Sequence, residues 1–259
     1  MATYHITTPA ELQAMNDDLT GDYILDNDID LTGVEFIPIG AESGTPFSGT
    51  FDGGEFTISN LSMIGEGDYD YKGIFGNVSG SVIKTTFEDC VVAGGMYDGI
   101  AIGYLQSGGS VSSLFAISGS CDGSSMVGGL IGIVEGTADK CYSTAEVTGV
   151  SGAYVGGLFG EITDAVITNV YALGNVQTGD RVGGLIGSAT LNEGYKIQNA
   201  YAAPETVSGL VSGGLIGQLV AVENSLFNAY AVCSVTSEGE GNVSGGLVGK
   251  LEFISGEPE

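Results

Sequence analysis

Residues 154–160 read YVGGLFG, and the phrase returns as MVGGLIG at 126–132, RVGGLIG at 181–187, VSGGLIG at 211–217 and VSGGLVG at 243–249. YKGIFG at 71–76 and a degraded DGIAIG at 98–103 complete the series. The closing glycines, Gly76, Gly103, Gly132, Gly160, Gly187, Gly217 and Gly249, lie 27, 29, 28, 27, 30 and 32 residues apart. Self-similarity at so constant a spacing marks a stacked-repeat architecture.

A second phrase precedes most copies. ITNVYALGNVQTG (167–179) lines up with IQNAYAAPETVSG (197–209) and LFNAYAVCSVTSEG (226–239), and more loosely with DKCYSTAEVTG (139–149) and SSLFAISGS (112–120). The alignment predicts an aromatic column of Phe87, Phe115, Tyr142, Tyr171, Tyr201 and Tyr230 beside a small apolar column of Leu114, Cys141, Val170, Ala200 and Ala229. Each repeat holds two or three short runs of β-branched and small residues between Gly, Ser, Asn and Asp turns, with no helical period. The expected fold is all-β: a right-handed parallel β-helix of about eight to nine coils, one repeat to a coil, with like residues stacked about 4.8 Å apart. The motif glycines Gly129, Gly132, Gly157, Gly160, Gly184, Gly187, Gly214, Gly217, Gly246 and Gly249 are then structural, at places where no side chain fits or φ is positive.

Thr8-Pro9-Ala10-Glu11 is a capping box with Pro at the first helical position, followed by apolar Leu12 and Met15. Residues 1–21 are therefore expected to form a capping segment with a short helix over the first strand edges. Residues 22–250 should be a single β-helix domain and 251–259 a C-terminal tail with no second capping helix. The last coil is expected to abut a partner subunit or further chain.

The recurring G-L-(apolar)-G phrase resembles the GLUG-motif repeat family over residues 71–250, most specifically where GGLIG, GGLFG and GGLVG stand intact. At 98–103, Ile100 and Ala101 replace the motif's Gly and Leu. The lead-in ITTPAELQAMN, GDYILDNDIDLTG and FSGTFDGGEFTISNL looks like that of such proteins. The resemblance implies extracellular binding or scaffold segments of bacterial surface proteins, adhesins and accessory regions of immunoglobulin A proteases. It attaches no catalytic residue to the motif.

Of 259 residues, 45 are Gly and 5 are Pro, without a Gly-X-Y period, which argues against collagen and against a disordered linker. With 32 acidic and 6 basic residues the net charge is −26, and Lys72, Lys84, Lys140, Arg181, Lys196 and Lys250 are scattered. Nucleic acid and anionic membrane surfaces need a positive footprint, so neither is an expected partner. The acid excess suits a salty or extracellular medium. No apolar run is long enough to insert in a membrane, and the first twenty residues do not form a secretory signal.

Chemistry has few places to sit. His5, the one histidine, precedes the repeats, and no cofactor motif occurs. Asp26, Asp28 and Asp30 alternate in DNDID, which resembles a calcium-loop start but lacks its later Gly and Glu. They read best as a solvated strand face with Ile29 inward, as Asp68 and Asp70 read as a loop tip, with weak cation binding the alternative. Tyr142, Tyr171, Tyr201 and Tyr230 are the binding candidates: exposed, their rings offer faces to sugars; buried, they form a core or oligomer ladder. Cys90 and Cys233 share a column five coils apart, roughly 24 Å, and Cys121 and Cys141 lie in different columns, so four free thiols are expected.

The functional expectation is a non-enzymatic, elongated structural or adhesive module that meets a protein or glycan surface outside a cell and is open to homo-oligomerisation. It would belong to a prokaryotic surface or to a virion fibre or decoration protein, the leaderless start leaning toward the virion. The alternative is a β-helical lyase or hydrolase of polysaccharides.

Overall fold

The computed structural model describes residues 3–41, 45–65, 69–237 and 243–254. Within them the chain winds through eight coils, each laid parallel on the one before. Among the described residues two sheets hold twelve strands each and a third holds seven. One coil shows the plan: Val166–Ala172 lies in the first sheet, Val176–Gln177 and Arg181–Gly183 in the second, and Ile186–Leu191 in the third. Tyr171 is the register partner of Tyr142 behind it and Tyr201 ahead, so one repeat is one coil. The fold is the expected parallel β-helix.

The first sheet departs from simple alternation for a local reason. Lys84, Ser113, Lys140, Asn169, Asn199 and Asn228 occupy one position of successive coils, each with φ between 46° and 57°. A left-handed residue in mid-strand resets the pleat, which is why Ile167, Val170 and Ala172 all face the core. Asn carries this strain more readily than most residues, and it fills the last three positions.

At the corner between the second and third sheets stands the glycine phrase. A Cβ on Gly129, Gly157, Gly184 or Gly214 would collide with the carbonyl oxygen of the equivalent glycine one coil on. A Cβ on Gly160 or Gly187 would strike a backbone nitrogen of the preceding coil, Val127 or Val155. None of the ten motif glycines has a positive φ, so at all of them but Gly246, where nothing described lies within 4 Å, it is lack of room that excludes a side chain. The intervening Leu130, Leu158, Leu185 and Leu215 are wholly buried in one continuous core. Each such leucine contributes roughly 1.5–3 kcal/mol by leaving water.

Helix Pro9–Gln13 sits where expected, with Thr8 Oγ1 accepting the Glu11 amide at 3.3 Å. The Glu11 carboxylate reaches back to the Thr7 amide at 2.8 Å. Leu12 and Met15 are buried against the first coil. The ends differ from expectation in two details. The capping segment also supplies strand Thr3–Ile6, paired with Asp22–Leu25. The final strand, Val248–Phe253, runs into the expected tail because its partner Ile216–Ala221 offers a full edge.

The structure replaces one member of the expected aromatic column. Phe87 pairs with Ala116 and is buried; the partner of Phe115 is Thr86. The aromatic column is therefore Phe115, Tyr142, Tyr171, Tyr201 and Tyr230.

Candidate functional site

Because Val170 and Ala172 face inward, Tyr171 between them faces outward, and the tyrosine column lies on the surface of the first sheet. Phe115 and Tyr142 stack at 4.6 Å, as do Tyr142 and Tyr171 with planes 6° apart; Tyr201 and Tyr230 are tilted at 4.6 Å. Stacking at strand spacing uses the ring faces on one another, so what these pairs present outward is ring edges and phenol hydroxyls. A sugar therefore cannot lie flat between the stacked rungs. Tyr230, in the last coil and 56% exposed, is the most open rung.

Beside the tyrosines runs a ladder of amides. Asn199 Nδ2 donates to Asn169 Oδ1 at 2.8 Å, and Asn228 Nδ2 to Asn199 Oδ1 at 2.7 Å. Asn169 in turn donates to Asp139 at 2.7 Å. Burial works against the Asp139 charge, but hydrogen bonds from Thr168 and Asn169 hold its carboxyl below the usual range. Its signal in the sequence is the asparagine shared by the aligned ITN, IQN and LFN.

A second aromatic column was also missed, though it is the first letter of the repeating phrase. Tyr71, Tyr97, Met126, Tyr154 and Arg181 are successive register partners in the later part of the second sheet, just before the glycine corner. Tyr71 stacks on Tyr97 at 4.9 Å and on Tyr104 at 5.9 Å, and the Arg181 guanidinium lies 4.1 Å over the Tyr154 ring. Burial pushes the nearby Glu161 carboxyl upward against the pull of Arg181.

The aspartates do not converge. Asp26 pairs with His5 Nδ1 at 2.9 Å, Asp28 accepts the Thr57 amide at 2.8 Å, and Asp30 accepts from Thr32 and Asn60. Ile29 between them is buried. Among the described residues no three His, Cys, Asp or Glu side chains gather as metal ligands. Asp68 and residues 255–259 lie outside the described residues.

The degraded copy and the copy before it each bury one ionisable side chain, Asp98 and Lys72. Lys72 and Asp98 are register partners in the inward column that Val127, Val155 and Val182 fill in later coils. Lys72 Nζ donates to the carbonyls of Gly65 and Ala93, the latter at 2.8 Å. Asp98 accepts the Gly95 amide at 2.9 Å through Oδ2, while Oδ1 has no partner. Burial pushes the Asp98 carboxyl up to about 7, against the pull of the Gly95 amide and Lys72. All four cysteines are free thiols.

These features define a parallel β-solenoid with outward ladders. No family model matches the chain, so the likeness to GLUG repeats rests on the phrases themselves. Halomucin of Haloquadratum walsbyi is 36% identical over 151 residues, covering 52% of this chain but 2% of halomucin. A provisionally assigned immunoglobulin A1 protease from Bacteroides ovatus superposes with a TM-score of 0.75 over 98% of this chain and 84% of its own. At 22% identity that likeness concerns the fold alone.

Proposed function

We propose that this chain is a non-enzymatic structural and adhesive module of a cell surface, which meets its partner, a protein or glycan surface, through the outward face of the first sheet. The observation that carries the reading is the pair of adjoining ladders, tyrosine and asparagine, repeated at strand spacing along the axis. Such a face is long and periodic, suited to an extended partner rather than to one reacting group. The similarity to halomucin favours a cell surface over a virion. The net charge of −26 suits a solvent rich in salt, where screening shortens the reach of self-repulsion.

A polysaccharide lyase would need cations gathered to neutralise a uronate. Here Lys84 is paired with Asp52, Lys250 with Glu252, and Lys72 is buried. Antibodies to the chain should label intact cells of its source, and protease added to the medium should abolish the label. Labelling seen only after lysis would overturn the surface reading; depolymerisation of uronate polymers by the purified chain would overturn the non-enzymatic one.

A further inference from the structure

The tyrosine ladder lacks a rung at its N-terminal end. Phe115 is covered on one side by Tyr142, while its register partner on the other side is Thr86, too small to reach over a ring. An open cavity of about 370 Å³ lies there, lined by Glu55, Lys84, Thr85, Thr86, Ser113 and Phe115. Its size falls within the ~300–1,000 Å³ common to small-molecule sites. Three of the lining residues are left-handed: Lys84 and Ser113 in mid-strand, with φ of 53° and 57°, and Glu55 at 68°. They put a carboxylate, an ammonium and a hydroxyl around one apolar ring face.

We propose that this cavity is a subsite for a single neutral pyranose unit, whose C–H face stacks on Phe115 in place of the missing rung. The inference deepens the adhesive reading above and rests on it for the glycan partner. An aromatic face matches the apolar face of a pyranose. Sugar hydroxyls would donate to Glu55, accept from Lys84, and do either with Ser113. Charge decides for a neutral sugar over a uronate. Lys84 Nζ already lies 2.9 Å from Asp52 Oδ2, so with Glu55 the locality carries a net negative charge, in a chain of −26.

Saturation-transfer NMR on the full chain tests this with methyl β-D-glucopyranoside, methyl β-D-galactopyranoside and N-acetylglucosamine, and with glucuronic acid as the charged probe. The wild type should bind at least one neutral sugar with a Kd on the order of millimolar. Phe115→Ala should weaken it at least about tenfold. Thr86→Tyr, which supplies the missing ring from the chain itself, should abolish it without unfolding the outward surface. Gln177→Ala, exposed on the second sheet away from both ladders, should leave it unchanged. Binding that survives Thr86→Tyr, tighter binding of glucuronic acid, or no binding of any neutral probe would each overturn the subsite. None of these outcomes bears on whether intact cells display the chain, which the antibody experiment decides separately.

Discussion

The two ends of the solenoid are built from the same strands and are buried to very different degrees. At the first coil, Leu12 and Met15 from the helical segment cover the core and are themselves fully buried. At the eighth, Leu247 is 37% exposed, whereas Leu215 at the same position one coil earlier is wholly buried. Tyr230, Leu251 and Phe253 are exposed there too. A coil of this repeat therefore does not bury itself; its neighbour does, and a short capped helix can stand in for a neighbour.

The glycine corner gives the harshest way to break that comparison. Gly157→Val drives a branched side chain into the Gly184 carbonyl and should destabilise by more than about 3 kcal/mol, beyond ordinary overpacking, because backbone cannot move aside. At Gly246 nothing described lies within 4 Å of a built Cβ, so Gly246→Val should cost under about 1 kcal/mol. Denaturant midpoints of the two variants measure the contrast; equal losses would show that the next coil is not what forbids a side chain.

The Asp98 carboxyl sharpens it from inside the core. Its folded-state value of about 7 stands above the ordinary 3.8, so the folded chain holds a proton that the unfolded chain releases. Stability should therefore be highest below pH 4 as far as this group goes, and should fall as pH rises through 7, by on the order of 4 kcal/mol in all. Asp98→Asn should flatten that fall. Thermal unfolding between pH 5 and pH 8 reads it, and an unchanged slope in the variant would remove Asp98 as the cause.

Smaller effects belong to the cap. Thr8→Ala removes the oxygen that accepts the Glu11 amide and should cost about 1 kcal/mol, measured by denaturant unfolding. Smallest is a change of labelling without a change of fold. Burial raises the Cys90 and Cys141 thiols to about 11 and about 12, and raises Cys121 well above its ordinary value too. Cys233, in the last coil, is only part-buried. Alkylation at pH 8 in native buffer should modify Cys233 first and Cys141 only on unfolding, as peptide mass mapping would record; early modification of Cys141 would contradict the coil packing.

The coils were legible because each repeat restates its core: a leucine between glycines at near-constant spacing cannot be read two ways. The aromatic column was legible only from Phe115 onward. Earlier coils have strands and loops of different length, so spacing alone slid Phe87 into a place that belongs to Thr86. The direction of the tyrosines was hidden for another reason. Period-two alternation assumes an unbroken pleat, and a left-handed residue such as Asn169 resets it. Lys72 and Asp98 escaped notice because their neighbourhood forms across coils, at the copy of the phrase that departs most from the others.

The hydrogen bonds joining one coil to the next run along the axis of the solenoid, as the parallel registers of all three sheets require. Tension applied along that axis is thus carried by coils in series and pulls each rung off the next in turn. Tension applied across it must shear many rungs together. A coil of 27 to 32 residues, once peeled, frees roughly 100 Å of slack. Stretched lengthwise, the molecule would lengthen in steps of that size, shedding load while most of its coils stayed wound.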